Sequence, residues 1–133
     1  MGQGSRNVKA LLLDTDVLVD YLRGHDAAIS YVKAHADRVV ISVITIAELY
    51  AGVRDDAESR ELDEFLRLFP HLPVTTDIAR AGGLHKRRYA RSHGVGLADG
   101  LLAATAEAHG AELKTLNVKH YPVFAGLTPP YRK

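Results

Sequence analysis

The chain of 133 residues contains no cysteine, which excludes a disulfide framework, a thiolate metal site and a cysteine nucleophile. It also lacks any apolar stretch close to the roughly 20 residues that a membrane-spanning helix needs. Neither sign of charge dominates, because 17 Lys and Arg balance 16 Asp and Glu to a net charge of +1. The overall charge therefore neither favours nor excludes a nucleic-acid ligand, and only the distribution of charge along the chain is informative. The seven histidines show no recurrent spacing of the kind that indicates a zinc site.

The length and the composition, with 47% apolar and 25% charged residues, are typical of one globular domain spanning residues 1–133. The first apolar run, residues 8–13, is short and ends at Asp14, so it does not resemble the hydrophobic part of a signal peptide. We therefore expect a cytoplasmic protein without a membrane segment. Residues 1–7 are expected to be a disordered extension or a remnant of expression, outside the fold.

Short apolar runs alternate with helical patterns, and no hairpin motif separates them. The runs predict buried strands at residues 8–13, 39–43, 74–76 and 112–116. The helical patterns predict helices at residues 17–22, 27–36, 45–53, 58–69, 78–92 and 98–109, the last one ended by Gly110. This alternation predicts an α/β fold in which helices cover both faces of a parallel sheet.

Three acidic residues lie beside apolar runs in separate parts of the chain: Asp14, Glu48 and Asp99. A carboxylate next to a core-forming segment is unfavourable unless something compensates it, and one divalent cation can compensate several carboxylates together. Binding sites in open α/β sheets form at the carboxyl ends of the strands, where Asp14 and Asn117 are both predicted to lie. The sequence therefore favours an oxygen-lined site for Mg²⁺ or Mn²⁺.

Each acid also has a purely structural explanation. Asp14 fits the N-cap of the following helix, which stabilises a helix by about 1 kcal/mol. Glu48 stands three residues after Thr45, the spacing of a capping box. Asp99 falls in the first turn of a helix, where the helix dipole favours an acid. Another acid, Asp20, is expected to be solvated or to stand behind the site. The joint placement of three acids at one edge favours the metal site.

A basic segment leads to Asp99. No acid occurs between Asp77 and Asp99, and this stretch contains several cationic residues, among them Lys86, Arg87, Arg88 and Arg91. They form either an ordinary solvated face or a ridge that contacts phosphates. We favour the second interpretation slightly, because a nuclease needs cations to hold phosphates and carboxylates to hold a metal.

Four stretches together resemble the PIN-domain ribonucleases, specifically the VapC-type toxins of bacterial toxin–antitoxin modules. They are residues 12–22, 41–53, 97–106 and 115–121. Each motif is weakly specific by itself, but their order and spacing fit from about Lys9 to Tyr131. The resemblance implies a three-layer α/β/α domain with a central parallel sheet. It further implies an endoribonuclease that uses Mg²⁺ or Mn²⁺ to cleave RNA of the tRNA or rRNA class and so inhibits translation. A homodimer and a cognate VapB-type antitoxin that occludes the site are also implied.

The same resemblance suggests roles for particular residues. It implies that the metal ligands are Asp14, Glu48 and Asp99, that Asn117 completes the catalytic set, and that Thr15, Asp16 and Thr115 support it by hydrogen bonding. Two positions depart from the family pattern. Asp16 stands where Asn is common, which adds a negative charge, and His120 stands where Asp is frequent, which removes a carboxylate that a second metal would use. Asn117 is able to coordinate or orient water but not to act as a base.

Other interpretations remain open. Asp14-Thr-Asp16 after an apolar strand also resembles the opening of haloacid-dehalogenase-type phosphatases, with Asp14 as nucleophile and Asp16 as acid/base. However, Leu18 departs from that pattern and no later pair of acids follows. A receiver-like signalling domain would need an Asp where Glu48 stands. A catalytically degenerate PIN module that only binds is a further alternative.

Overall fold

The computed structural model describes residues 8–133, so the expectation that residues 1–7 are disordered lies outside the described part of the chain. A parallel sheet of four strands runs through these residues in the order β3-β2-β1-β4. The strands are β1 (Leu11–Leu13), β2 (Val39–Ser42), β3 (His71–Leu72) and β4 (Glu112–Lys114). The prediction of a parallel sheet is confirmed.

Helices connect the strands as the sequence pattern predicts. They are α1 (Thr15–Leu22), α2 (Asp26–Ala34), α3 (Val43–Ala51), α4 (Asp56–Leu66), α5 (Thr76–His93) and α6 (Leu97–His109), followed after β4 by one 3₁₀ turn (Val118–His120). Helix α6 ends at Gly110, whose φ of +59° is the left-handed conformation expected of a glycine after a helix. None of the helices between residues 8 and 133 is long and apolar enough to cross a membrane.

The sheet separates two hydrophobic cores, because successive side chains of a strand point to opposite faces. Leu11 and Leu13 of β1 belong to the core that also contains side chains of α1 and α4, such as Leu18 and Phe65. Leu12 faces the other way, into a core with residues of α6 and β4. The predicted three-layer α/β/α architecture is therefore confirmed, with β1 buried on both sides.

The third strand was predicted in the wrong place. It is His71–Leu72 rather than residues 74–76, and it pairs with Ile41 and Ser42 of β2. Pro73 has no backbone N–H and so cannot extend the ladder. Thr75 is the N-cap of α5, since its hydroxyl accepts a hydrogen bond from the N–H of Ile78 at 3.2 Å.

The predicted capping box of Thr45 and Glu48 is also wrong. Helix α3 begins two residues earlier, at Val43, and its N-cap is Ser42, whose hydroxyl accepts from the N–H of Ile44 at 3.0 Å. Thr45 is fully buried within the helix. The structural explanation for Glu48 therefore disappears, and its carboxylate is free for another role.

Helices α5 and α6 cross at two glycines. A Cβ added to Gly82 would lie 2.8 Å from the backbone of Leu101, and a Cβ added to Gly100 would collide with the carbonyl oxygen of Gly82. Gly83, the next residue of α5, has open space around it. The missing side chains at Gly82 and Gly100 therefore determine how closely α6, with Asp99 in its first turn, approaches α5.

Asp20 is not solvated, contrary to one of the two expectations for it. Its residue is only 9% exposed, and its carboxylate accepts hydrogen bonds from the Tyr131 hydroxyl at 2.8 Å and the Lys133 ammonium at 3.1 Å. The Tyr131 ring also stacks on His25, with centroids 5.5 Å apart. Asp20 thus fastens the C-terminal segment to α1.

These contacts predict a pH-dependent contribution of Asp20 to stability. Burial alone raises the pKa of the Asp20 carboxyl, but the hydrogen bonds from Tyr131 and Lys133 and the nearby charges outweigh it, so this pKa is lowered. A lowered folded-state pKa gives stability that is complete above the ordinary carboxyl pKa and lost as the pH falls through the lowered value. We expect Asp20→Asn to reduce the free energy of unfolding by about 1 kcal/mol at pH 7.

Urea unfolding of the wild type and Asp20→Asn between pH 7 and pH 3.5 measures this effect. The difference between the two proteins should be constant above about pH 5 and shrink towards acid. Asp37→Asn, a change at an exposed acid, is the control and should alter stability little. An Asp20→Asn difference that grows on acidification would contradict the assignment.

Candidate metal centre and RNA-binding face

Three chain segments bring polar groups to the carboxyl edge of the sheet. Asp14 follows β1 directly and is the N-cap of α1. Thr115 follows β4, the parallel neighbour of β1. Asp99 lies in the first turn of α6. Because β1 and β4 run in the same direction, their ends deliver these groups to one place, as is usual for sites in open α/β sheets.

The Asp14 carboxylate is held by three donors. Its Oδ1 accepts from the N–H of Thr15 at 2.7 Å, and its Oδ2 accepts from the hydroxyls of Thr115 at 2.8 Å and Tyr121 at 2.9 Å. Burial raises the pKa of Asp14, the hydrogen bonds oppose this, and repulsion from the negative charge of Asp99 adds to the rise. A positive ligand at this place would offset both the burial and the repulsion.

Asp99 lies on the other side of the same tyrosine. Its Oδ1 accepts from the Tyr121 hydroxyl at 3.2 Å. Its Oδ2 accepts from the N–H of Gly96 at 3.3 Å and lies 3.5 Å from Nδ1 of His120. Asp99 lies in the first turn of α6, as predicted, and in addition caps it by accepting from Gly96, while its Oδ1 accepts from Tyr121.

Asp16 ties α1 to the segment after β4. Its Oδ1 accepts from the N–H of Val17 at 2.7 Å, and its Oδ2 accepts from the N–H of Leu116 at 3.0 Å and lies 3.4 Å from the Thr115 hydroxyl. Burial and repulsion from Asp14 raise the pKa of Asp16 to about 6. These contacts place Asp16 beside the Asp14–Thr115 pair, where the sequence predicts a supporting residue.

Glu48 is linked to the site through Thr15. Its exposed carboxylate accepts a 2.5 Å hydrogen bond from the hydroxyl of Thr15, which in turn lies 3.4 Å from the hydroxyl of Thr45. Glu48 also lines a groove of about 590 Å³ between α1, α3 and α4. Thr15 thus contacts both acids, because its hydroxyl donates to Glu48 and its N–H donates to Asp14.

Asn117 stands at the rim. Its N–H donates to the Thr115 hydroxyl at 3.0 Å, and its side-chain Nδ2 lies 2.8 Å from Nδ1 of His120. The amide therefore positions the imidazole that approaches Asp99, a contact that the sequence did not predict.

The predicted metal ligands do not form a closed cage. Within residues 8–133, no group of three or more acidic, histidine or cysteine side chains is arranged to hold a metal ion. The donors nevertheless fit a hard cation, because Mg²⁺ commonly uses one or two carboxylates and keeps several waters. Asp14 and Asp99 are such a pair, since both reach one hydroxyl.

The predicted phosphate-contacting residues all lie on α5 and are exposed: Lys86, Arg87, Arg88 and Arg91. Helix α5 packs against α6 around Gly82, whose Cβ position lies 2.8 Å from the backbone of Leu101. Arg88 lies over the ring of Tyr89, 5.4 Å from its centroid. The cationic side chains therefore face solvent on the helix that leads to Asp99.

Tyr121 is the main residue of the site that the sequence did not reveal. Tyr121 ends the stretch 115–121 that carries part of the resemblance, but nothing in the sequence indicates which groups its hydroxyl contacts. The mutual proximity of Thr115, Asp16 and Leu116 could have been foreseen only from knowing that β4 pairs with β1.

Comparisons with known proteins agree with this architecture. The model of the family described as PIN domain matches residues 11–121. Ribonuclease VapC10 of Mycobacterium tuberculosis is 47% identical over 124 residues, which are 91% of this chain and 92% of that protein. Ribonuclease VapC19 of the same organism is 42% identical, covering 90% of this chain and 98% of that protein. A solved chain from a toxin–antitoxin complex of Klebsiella pneumoniae has a TM-score of 0.80 at 27% identity, covering 93% of this chain and all of that one.

Proposed function

This chain belongs to the PIN domain family, and from that premise we propose that it is a VapC-type ribonuclease toxin. Its relatives named ribonucleases match nearly its whole length. We further propose that it is an endoribonuclease, that its cofactor is Mg²⁺ or Mn²⁺, and that its substrate is RNA of the tRNA or rRNA class, whose cleavage inhibits translation.

The observation that supports this function best is the pairing of Asp14 and Asp99. Two carboxylates from distant parts of the chain meet one hydroxyl at the carboxyl edge of the sheet. A phosphatase in which Asp14 and Asp16 act together would need a free Asp16, but both of its oxygens accept backbone N–H groups. The geometry therefore favours the pair Asp14 and Asp99 over the pair Asp14 and Asp16.

In this proposal Asp14 and Asp99 hold the cation, directly or through water. The chemistry that the cation supplies when bound is polarisation of the phosphodiester and a lower pKa for water. Glu48, fixed by Thr15, either adds a ligand or orients the attacking water. Asn117 cannot take up a proton and serves to hold His120 and water in place.

The toxin–antitoxin complex from Klebsiella pneumoniae supports an antitoxin partner for this chain, and the VapC names of its relatives support a partner of the VapB type. We propose that the antitoxin occludes the acidic edge, and that the toxin is a homodimer located in the cytoplasm. Because the partner suppresses activity in this proposal, cleavage has to be measured on protein from which the antitoxin has been removed.

Incubation of the purified protein with total bacterial RNA in EDTA, Mg²⁺ or Mn²⁺ tests the function. We expect discrete fragments with either cation and intact RNA in EDTA, because the site needs a positive charge to hold the phosphate. Intact RNA in all three conditions, from protein shown to be folded by circular dichroism, would favour the degenerate binding module instead.

The cationic face of α5 makes a separate prediction about RNA binding. Replacing Arg87 and Arg91 by Ala should weaken binding of single-stranded RNA and flatten its salt dependence. Each lost phosphate contact lowers the slope of log K against log[salt] by about 0.7. The measurement is RNA affinity across a salt series, with and without the two Ala substitutions. Both proteins also carry Asp99→Asn, which is chosen to prevent cleavage.

The matched control replaces two arginines of equal charge elsewhere, Arg60 and Arg67, which are exposed in and after α4. If this control pair changes the salt slope as much as the α5 pair does, the effect is one of net charge, and α5 is not the RNA-binding face.

A further inference from the structure

The hydroxyl of Tyr121 contacts both Asp14 and Asp99. The residue is 2% exposed and packs in the core that contains Leu12, Leu102 and Leu113. Its hydroxyl lies 2.9 Å from Oδ2 of Asp14 and 3.2 Å from Oδ1 of Asp99. A tyrosine that served only to fill the core would not need its hydroxyl at this point, where a phenylalanine of the same shape would fit.

The hydroxyl acts as a hydrogen-bond donor to both carboxylates. Burial, with the negative charges of Asp14 and Asp99, raises the pKa of Tyr121, so the phenol keeps its proton. Both carboxylates accept a hydrogen bond from this one hydroxyl, and the shared hydrogen bond holds them close to each other. Each of the other donors bonds to only one acid of the pair: Thr15 and Thr115 donate to Asp14, whereas Gly96 donates to Asp99.

We propose that Tyr121 is a positioning residue, which fixes the spacing and rotation of the Asp14 and Asp99 carboxylates so that a divalent cation meets a prearranged pair. This inference rests on the proposed function, since it takes Asp14 and Asp99 as the metal ligands. A carboxylate offers about four lone-pair sites, and the hydrogen bonds occupy three on Asp14 and two on Asp99, so oxygen sites remain for a cation. Hydrogen-bonding partners of metal ligands typically change metal affinity by about 10- to 100-fold when they are removed.

The test is a titration of Mn²⁺ into wild type and Tyr121→Phe. Electron paramagnetic resonance measures the concentration of free Mn²⁺ at each point. Phenylalanine keeps the ring in the core and removes only the hydroxyl. We expect the affinity for Mn²⁺ to fall by about 10-fold or more. Should the variant melt at a lower temperature, the titration is repeated in sucrose, which favours the compact state.

The matched control is Tyr131→Phe, which removes another tyrosine hydroxyl bonded to an aspartate, at Asp20 rather than at Asp14 or Asp99. It should bind Mn²⁺ as the wild type does. Equal affinity in Tyr121→Phe and wild type would overturn the proposal. Equal losses in Tyr121→Phe and Tyr131→Phe would also overturn it, because the effect would then be a general weakening of the fold.

Cleavage of RNA by the same preparations separates this proposal from the proposed function. If the wild type cuts RNA and Tyr121→Phe binds Mn²⁺ with unchanged affinity, only the positioning role is refuted. Wild type that binds Mn²⁺ in a Tyr121-dependent way without cutting RNA refutes the nuclease and keeps the positioning role. Wild type that binds no Mn²⁺ refutes the metal site and this proposal together.

Discussion

Asp99→Asn is expected to lower metal-dependent RNA cleavage by at least about 100-fold while the protein stays folded. Loss of a ligand should exceed the 10- to 100-fold effect typical of groups that only support a ligand. Asparagine has nearly the same size, but it removes the negative charge that would attract a cation. Its amide oxygen still accepts one of the hydrogen bonds that Gly96 and Tyr121 donate to Asp99, so the first turn of α6 should persist.

The measurement compares initial rates of RNA cleavage in Mg²⁺ and Mn²⁺, together with thermal unfolding of each protein. Asp77→Asn is the matched control, because Asp77 also lies in the first turn of a helix, α5, but is exposed. The control should cut RNA at the wild-type rate, and Asp14→Asn should lose activity as Asp99→Asn does. Normal cleavage by both Asp14→Asn and Asp99→Asn would show that the metal site has been assigned wrongly.

Gly100→Ala is expected to destabilise the protein by about 2 kcal/mol, within the 1–3 kcal/mol typical of overpacking. Alanine normally stabilises a helix by up to about 1 kcal/mol relative to glycine. Here the added Cβ would meet the carbonyl oxygen of Gly82, a backbone atom that cannot move without shifting α5. The steric effect therefore exceeds the gain in helix propensity, and the melting temperature should fall by about 5–10 °C.

Gly83→Ala is the control for this prediction. Gly83 is also a glycine inside α5, but nothing lies within 4 Å of its Cβ position. We expect this change to be neutral or to stabilise the protein by up to about 1 kcal/mol. A stable Gly100→Ala protein would mean that the helices separate easily. Because Asp99 precedes Gly100, a shifted α6 should also reduce RNA cleavage in the fraction that remains folded.

The main features of the fold follow from local patterns in the sequence. Apolar runs such as residues 11–13 and 39–42 are long enough to be recognised as buried strands, and the amphipathic pattern of α4 identifies a helix. Strand β3 was misplaced because two residues are too few for any pattern. The start of α3 was misjudged because the β-branched Val43 and Ile44 favour strand, whereas the Ser42 cap starts a helix there.

The acids of the site are recognisable from sequence, but their contacts are not. Asp14 and Asp99 stand beside apolar runs, so the sequence itself indicates them. Tyr121 could not be identified, because its hydroxyl bonds to a residue 107 positions away. Asp20 was misjudged for the same reason, since its partner Tyr131 is 111 positions distant. Residue type alone does not tell which distant donor an acid will meet.

The central position of β1 has a consequence for the order of events during synthesis. Asp14 is made early, whereas its hydrogen-bonding partners Thr115 and Tyr121 are made about one hundred residues later. A nascent chain can pair β1 with β2 soon after residue 42, but the edge that receives β4 stays open until residue 114 has emerged. Pairing across such long separations is also slow. A growing chain therefore holds Asp14 without the two hydroxyls that fix its carboxylate until residues 115 and 121 have been made, so the candidate site assembles late in synthesis.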